Sequence, residues 1–146
     1  MDKIPVQKIR SDAKLPVYAS AMAAGADLCA CLDAPVTIEP GQTVLIPTGI
    51  AMAIPEGFAG LVYARSGLAL KRDLAPANKV GVIDADYRGE IFVPLHNHGS
   101  KSQTLEHGER IAQMIITPYL TANFTLADSL PETARGEGGF GSTGTK

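Results

Sequence analysis

Apolar residues along this chain fall in short runs, alternating or clustered, without the sustained three-to-four-residue rhythm of long amphipathic helices. The runs are Val6 to Ile9, Ala26 to Leu32, Thr43 to Ile46, Gly49 to Ile54, Phe58 to Ala64, Ile91 to Leu95 and Ile111 to Tyr119, and each predicts a strand. Between them stand Glu39-Pro40-Gly41, Pro55-Glu56-Gly57, His98-Gly99-Ser100 and His107-Gly108-Glu109, whose Gly and Pro supply the positive or fixed φ of tight turns. Only Ser66 to Asp73 reads as helical, with Ser66 as its cap and a length of about two turns at most. Short strands at this spacing predict an all-β sandwich or barrel with one short helix.

Composition narrows the reading. The chain has 146 residues, 45% hydrophobic and 19% charged, with 15 Gly and 10 Pro. That is the balance of one globular domain, long enough to bury a core without a disulfide or metal staple, and too interrupted for a helical bundle. The net charge of −2 offers no basic excess for nonspecific binding to a nucleic acid. Cys29 and Cys31 share a strand face without the geometry to bridge, and a C-x-C pair without further ligands is poor zinc evidence, so both read as small buried hydrophobes. Met1 to Arg10 lacks an apolar signal core, and no segment approaches the ~20 apolar residues that span a bilayer. The expectation is a cytoplasmic protein without membrane partners.

The pattern changes after Pro131. Arg135 to Lys146 is Gly-rich with only Phe140 to bury, which divides the chain into a β core over 1–134 and a flexible flap over 135–146. Ordering such a segment costs roughly 1–2 kcal/mol per residue, so it closes only onto a ligand that supplies contacts in excess of that sum. Gly136, Gly138 and Gly141 fit G-x-G-x-x-G, yet no strand precedes and no helix follows. Gly139 to Lys146 resembles a P-loop only loosely, because Thr145 separates Gly144 from the lysine. What remains is a set of donors suited to phosphate oxygens: Gly amides, Arg135, Ser142, Thr143 and Lys146.

Three further constellations could carry chemistry. Gly81 to Glu90 is the densest polar cluster and reads as a hairpin, whose free backbone groups could read the edge of a planar heterocycle. Asn78 lies just upstream with an amide that donates and accepts; Asp84 could orient or deprotonate a water, and Tyr87 could pack flat on a sugar. Arg65-Ser66-Gly67 pairs a guanidinium with a hydroxyl and helix-start amides, an arrangement for anions. Ser66 is no covalent nucleophile candidate, since no G-x-S-x-G elbow surrounds it. Gln113 is polar within an apolar strand and must either tie strands together or face a site. His96-Asn97-His98 suits a strand-end turn better than a metal site.

In this order the pieces resemble the five motifs of the trimeric dUTPase family, over nearly the whole chain. The first motif is Ala24-Gly25-Ala26-Asp27-Leu28, the second Ala64-Arg65-Ser66-Gly67-Leu68, and the third Gly81 to Glu90. The fourth is Gly108-Glu109-Arg110-Ile111-Ala112-Gln113-Met114, and the fifth runs from Arg135 to Gly144.

The resemblance implies a distorted jelly-roll-like β fold, a homotrimer with active sites shared between subunits, and Mg²⁺-assisted hydrolysis of dUTP to dUMP and pyrophosphate. It assigns Asp84 to the water that attacks the α-phosphorus, with Gln113 near that water. Tyr87 would lie against the deoxyribose and exclude a 2′-hydroxyl. Asn78 and the backbone of Gly81, Val82 and Ile83 would read uracil. Ser66, Gly67 and Gln113 would contact the phosphate chain with Arg65 in support, and Asp27 would hold metal-bound water from the outer shell. Phe140 would stack on uracil, Arg135 would engage the γ-phosphate, and Gly141, Ser142 and Thr143 would close over the substrate. The chain departs from the family pattern at Ala26, where an aromatic residue is common, and at Cys29, where a polar or basic one is. Two rivals follow: a dCTP deaminase of the same fold, disfavoured because Gln113 stands where a glutamate proton shuttle is needed, and a nucleotide-sensing trimer without turnover.

Overall fold

The computed structural model describes residues 3–139. Twelve strands and one helix follow in order: β1 Val6–Lys8, β2 Val17–Tyr18, β3 Ala26–Cys29, β4 Val36–Ile38, β5 Thr43–Pro47, β6 Ile50–Met52, β7 Phe58–Tyr63, α1 Ser66–Arg72, β8 Leu74–Pro76, β9 Gly81–Ile83, β10 Phe92–Asn97, β11 Gln103–Leu105 and β12 Arg110–Pro118. The largest sheet has the order β2-β3-β12-β7-β9, a second has β5-β10-β8, and β1-β6 and β11-β4 form two-stranded ladders. Every pairing is antiparallel, so each strand can present one face to the interior and one outward. The architecture is jelly-roll-like: strand spacing predicts its all-β character, and the family resemblance implies its jelly-roll form.

The core lies between the sheets. Leu28, Ile38, Ile46, Ile50, Leu74, Ile91, Val93, Leu95, Leu105 and Ile111 are essentially inaccessible to solvent, each fully buried aliphatic side chain contributing about 1.5–3 kcal/mol. Among the described residues two polar side chains are fully buried, Thr48 and Asn97, and both are satisfied. Thr48 donates to the Ile91 carbonyl at 2.6 Å. Asn97 donates to the carbonyls of Ile38 and Lys101 and accepts from the Gly99 amide. His96-Asn97-His98 is thus a strand end locked by its central Asn.

Several sequence expectations shift. The run Ala26 to Leu32 keeps its burial, but the strand ends at Cys29, where a register shift opposite Arg110 and Ala112 turns the chain out of the ladder. Beyond it the Ala30 amide bonds to Glu109 and the Cys31 amide to Pro47, so this segment bridges two sheets. Gly49, at φ 69°, turns the chain and delays β6 to Ile50. Strands β2, β4, β8 and β11 escape the apolar pattern because each has only two or three residues; β4 and β11 are joined on their outer face by a Thr37–Thr104 hydroxyl contact of 2.9 Å.

Two corrections concern site elements. Ser66 is the first helical residue and not the cap: Arg65 occupies that position in extended geometry, with no side-chain bond closing the end. The segment Gly81 to Glu90 is not a hairpin of paired arms. Its first arm, β9, pairs with β7, while the chain after the loop enters β10 in the other sheet.

Candidate functional site

Strand β12 organises the first candidate region. Gln113 stands opposite Asp27 of β3 on one side and Tyr63 of β7 on the other. Pairing on both sides brings the first, second and fourth motifs to one place on the sheet. Asp27, Tyr63, Arg65, Ser66, Gly67 and Gln113 line an open cleft of about 410 Å³. Gln113 is the tie the sequence anticipates: its Nε2 donates to the Ala64 carbonyl at 2.9 Å, leaving Oε1 to face Gly25. A Cβ on Gly25 would lie 2.6 Å from that oxygen, so the glycine is required by close approach.

Asp27 is only 13% exposed, and a charge so placed is costly unless paired. It has two partners: Arg65 Nε at 2.7 Å and Arg110 Nη1 at 3.2 Å. The result is two guanidiniums gathered around one carboxylate at the mouth of a polar cleft, next to the start of α1, where the Leu68 and Ala69 amides bond to the Arg65 carbonyl and those of Ser66 and Gly67 precede the first intrahelical bond. Such a surface attracts an anion with several oxygens. The far end of α1 is anchored separately by Arg72, which donates to Gln103, Glu109 and the Thr104 carbonyl. Arg110 belongs to a quoted motif but carried no role in the sequence reading, and Gly25 likewise. Only the three-dimensional contact to Asp27 or Gln113 marks them.

The second region surrounds the loop after β9. Asp84 lines a different open cleft, of about 620 Å³, with Glu56, Asp86, Arg88 and Tyr119. Tyr87 is 42% exposed, and its hydroxyl donates to the Glu90 carbonyl at 2.9 Å. That bond holds the ring beside Gly89, where a Cβ would collide with it. A turn closes from the Tyr87 amide to the Asp84 carbonyl at 3.2 Å. Asn78 lies against Gly81, whose added Cβ would be 3.3 Å from the Asn78 amide nitrogen. Val82 is exposed and Ile83 half-buried.

Within one chain Asp84 lines a different cleft from Asp27, Arg65 and Gln113. Gly81 pairs with Val62 and Ile83 with Gly60, so β9 runs away from Arg65 as it approaches Asp84. Gly60 lies five residues before Arg65, a separation of roughly 17 Å at about 3.4 Å per residue along a strand. Among the described residues the Arg135 side chain makes a local contact, its Nε donating to the Gly138 carbonyl at 2.8 Å. Phe140, Gly141, Ser142 and Thr143 lie outside the described residues.

Both cysteines are free, Cys31 buried and Cys29 half-buried. Burial raises the pKa of each thiol, and for Cys31 a bond to Asp12 adds to the rise. No helix among the described residues is long and apolar enough to cross a membrane.

An antiparallel jelly-roll-like β fold carrying a cleft of arginine, hydroxyl, amides and a glutamine around one carboxylate belongs to the class of proteins whose surface suits a small polyanion. The comparisons with known proteins name the family. A sequence model described as dUTPase matches residues 11–144. The chain is 55% identical over 145 residues to the deoxyuridine 5′-triphosphate nucleotidohydrolase of Desulfitobacterium hafniense, spanning 97% of this chain and 96% of that one. It is 55% identical over 130 residues to the enzyme of the same name from Desulfotalea psychrophila, spanning 89% and 87%. Its fold matches a dUTPase of Staphylococcus bacteriophage 80alpha solved with dUpNHpp, at TM-score 0.90 and 28% identity over 99% of both chains. The chain belongs to the dUTPase family.

Proposed function

We propose that this chain hydrolyses dUTP to dUMP and pyrophosphate, that the cleft around Asp27 and Gln113 receives the phosphate chain, and that Asp84 of a second copy supplies the attack. In this reaction a water oxygen bonds to the α-phosphorus and the bond to the bridging oxygen toward the β-phosphorus breaks, releasing pyrophosphate. Asp84 orients the water and accepts its proton. Gln113, fixed by Ala64, donates to phosphate oxygen or to that water. Arg65, Ser66 and the Gly67 amide meet the negative charge that develops on the leaving group. Tyr87 packs on the deoxyribose, while Asn78 and the backbone of Gly81, Val82 and Ile83 take the uracil edge. Arg135, Phe140, Gly141, Ser142 and Thr143 close over the bound nucleotide.

The observation that carries the shared site is the β7–β9 register, which directs Asp84 away from the cleft of its own chain. A second feature supports assembly. After β12, Leu120, Phe124, Leu126 and Leu130 are each more than four-fifths exposed, an apolar series that a lone soluble chain does not sustain. A homotrimer with sites between subunits accounts for both.

The family is generally metal-dependent, and the donor set here suits Mg²⁺ carried in by the triphosphate. Among the described residues the cleft is lined by one carboxylate, Asp27, already bonded to two arginines. Its remaining acceptor sites fit water held by a cation better than direct ligation. When bound, Mg²⁺ would neutralise phosphate charge.

Product analysis with dUTP, dCTP, dTTP and UTP side by side tests the reaction. Pyrophosphate from dUTP alone is expected; ammonia from dCTP would make the protein a deaminase, and binding without turnover a sensor. Mixing inactive Asp84→Asn and Arg65→Ala subunits tests the sharing. Activity should return at about one quarter of sites after random exchange in a closed oligomer, whereas a site within one chain gives none.

A further inference from the structure

We propose that Asp12, Cys31 and His107 form a binding site for a thiophilic divalent cation of the zinc class, separate from the nucleotide cleft. The three residues come from the loop after β1, the crossover after β3 and the turn between β11 and β12. One donor atom from each, a carboxylate oxygen, Sγ and an imidazole nitrogen, lies within 4.8 Å of the others. Cys31 Sγ is 3.4 Å from Asp12 Oδ1, and Asp12 Oδ2 is 3.8 Å from His107 Nδ1. Donors at about 2.0–2.3 Å from a tetrahedral zinc stand roughly 3.3–3.6 Å apart, so small side-chain movements would close the triangle. Asp12 and His107 are 49% and 37% exposed, which leaves the fourth position to water.

The surroundings define the exchange that binding entails. Without an ion, the Cys31 thiol donates to Asp12, and His107 Nδ1 accepts from the Leu32 amide at 3.1 Å. Binding forms cation–sulfur, cation–nitrogen and cation–oxygen bonds in place of water on the ion, breaks those two hydrogen bonds and releases the thiol proton to solvent. The nearby cation is Arg10, whose guanidinium lies 2.6 Å from Asp33 and 3.4 Å from Asp12; Asp33 can hold it when Asp12 turns to the ion. Glu90 adds negative charge facing Cys31, while its Oε1 accepts from the Gly49 amide at 2.8 Å. A thiolate–imidazole–carboxylate set selects zinc-like ions over Mg²⁺ and Ca²⁺, which prefer oxygen alone.

The test is equilibrium binding of Zn²⁺ and Co²⁺ to the full chain without nucleotide. One ion per chain, a sulfur-to-cobalt charge-transfer band, and binding at least tenfold tighter at pH 8 than at pH 6 are expected, because a thiol proton must leave. Cys31→Ala should abolish the band. Since Cys31 is buried, His107→Ala at a part-exposed position gives a second reading, with at least a tenfold loss of affinity. Cys29→Ser should leave binding intact. Cobalt binding without the band, no binding at all, or zinc affinity unchanged by both Cys31→Ala and His107→Ala would overturn the proposal.

Discussion

The cleft around Asp27 and the loop around Asp84 are built on opposite principles. The cleft is held from within: Asp27 bonds to Arg65 and Arg110, Gln113 bonds to the Ala64 carbonyl, and Asp27 and Gln113 stand opposite one another on adjacent strands of one sheet. The loop after β9 projects from the edge strand with Tyr87 exposed, ordered by the bonds of its own turn and by one bond from the Gly49 amide to Glu90 at its far end. A region whose charges are partly buried must satisfy them inside the chain. One that waits for a second surface can leave its groups open. Changes in the cleft should therefore cost stability as well as activity, and changes in the loop activity alone.

The largest separation is expected for Asp84→Asn. Loss of the base should lower kcat for dUTP by about 1,000-fold, with dUTP affinity within a few-fold by calorimetry and unfolding free energy within about 0.5 kcal/mol of the parent. Deletion of residues 135–146 should reduce activity by about 100-fold without moving the thermal midpoint or the oligomer mass; dissociation would make the tail structural. Asp27→Ala breaks the comparison from the other side. It leaves two guanidiniums close together without their carboxylate and should lower stability in urea by about 2–3 kcal/mol. Gly25→Ala forces Gln113 from its place and should lower kcat by about tenfold, with a stability loss near 1 kcal/mol.

The smallest effect lies outside both regions and sets a baseline. Partial desolvation first, then His96 and Lys79, depress the His98 pKa in the folded chain. The unfolded chain then binds the proton more readily. Stability is present above an unfolded value of about 6.5 and is lost as pH falls through it toward the folded value. Thermal midpoints at pH 7.5 and 5.5 should fall slightly further in the parent than in His98→Gln, with no change in the activity ratio of the cleft and loop variants.

Much of this contrast was legible in residue order. The runs that became β3, β5, β7, β10 and β12 follow from apolar alternation, and Gln113 stood out as a polar residue in an apolar strand. The helix was legible too, though its cap was not, because Arg65 takes that position in extended geometry while its guanidinium turns to Asp27. The shortest strands stayed hidden, since two or three residues carry no period. Neither could spacing reveal that β9 pairs with β7 while β10 joins another sheet, because pairing between distant segments is chosen by the packed core.

By itself the sequence determined the all-β class, the turns, the candidate phosphate and sugar groups and the family resemblance, for these depend on local conformational preference and on residue order. Only the tertiary structure decided which of those groups share a cleft. Antiparallel registers between segments far apart in the chain bring Asp27, Arg65 and Gln113 together, send Asp84 elsewhere, and gather Asp12, Cys31 and His107 from three separate loops. Side-chain chemistry is written residue by residue, whereas proximity is set by how the whole core packs.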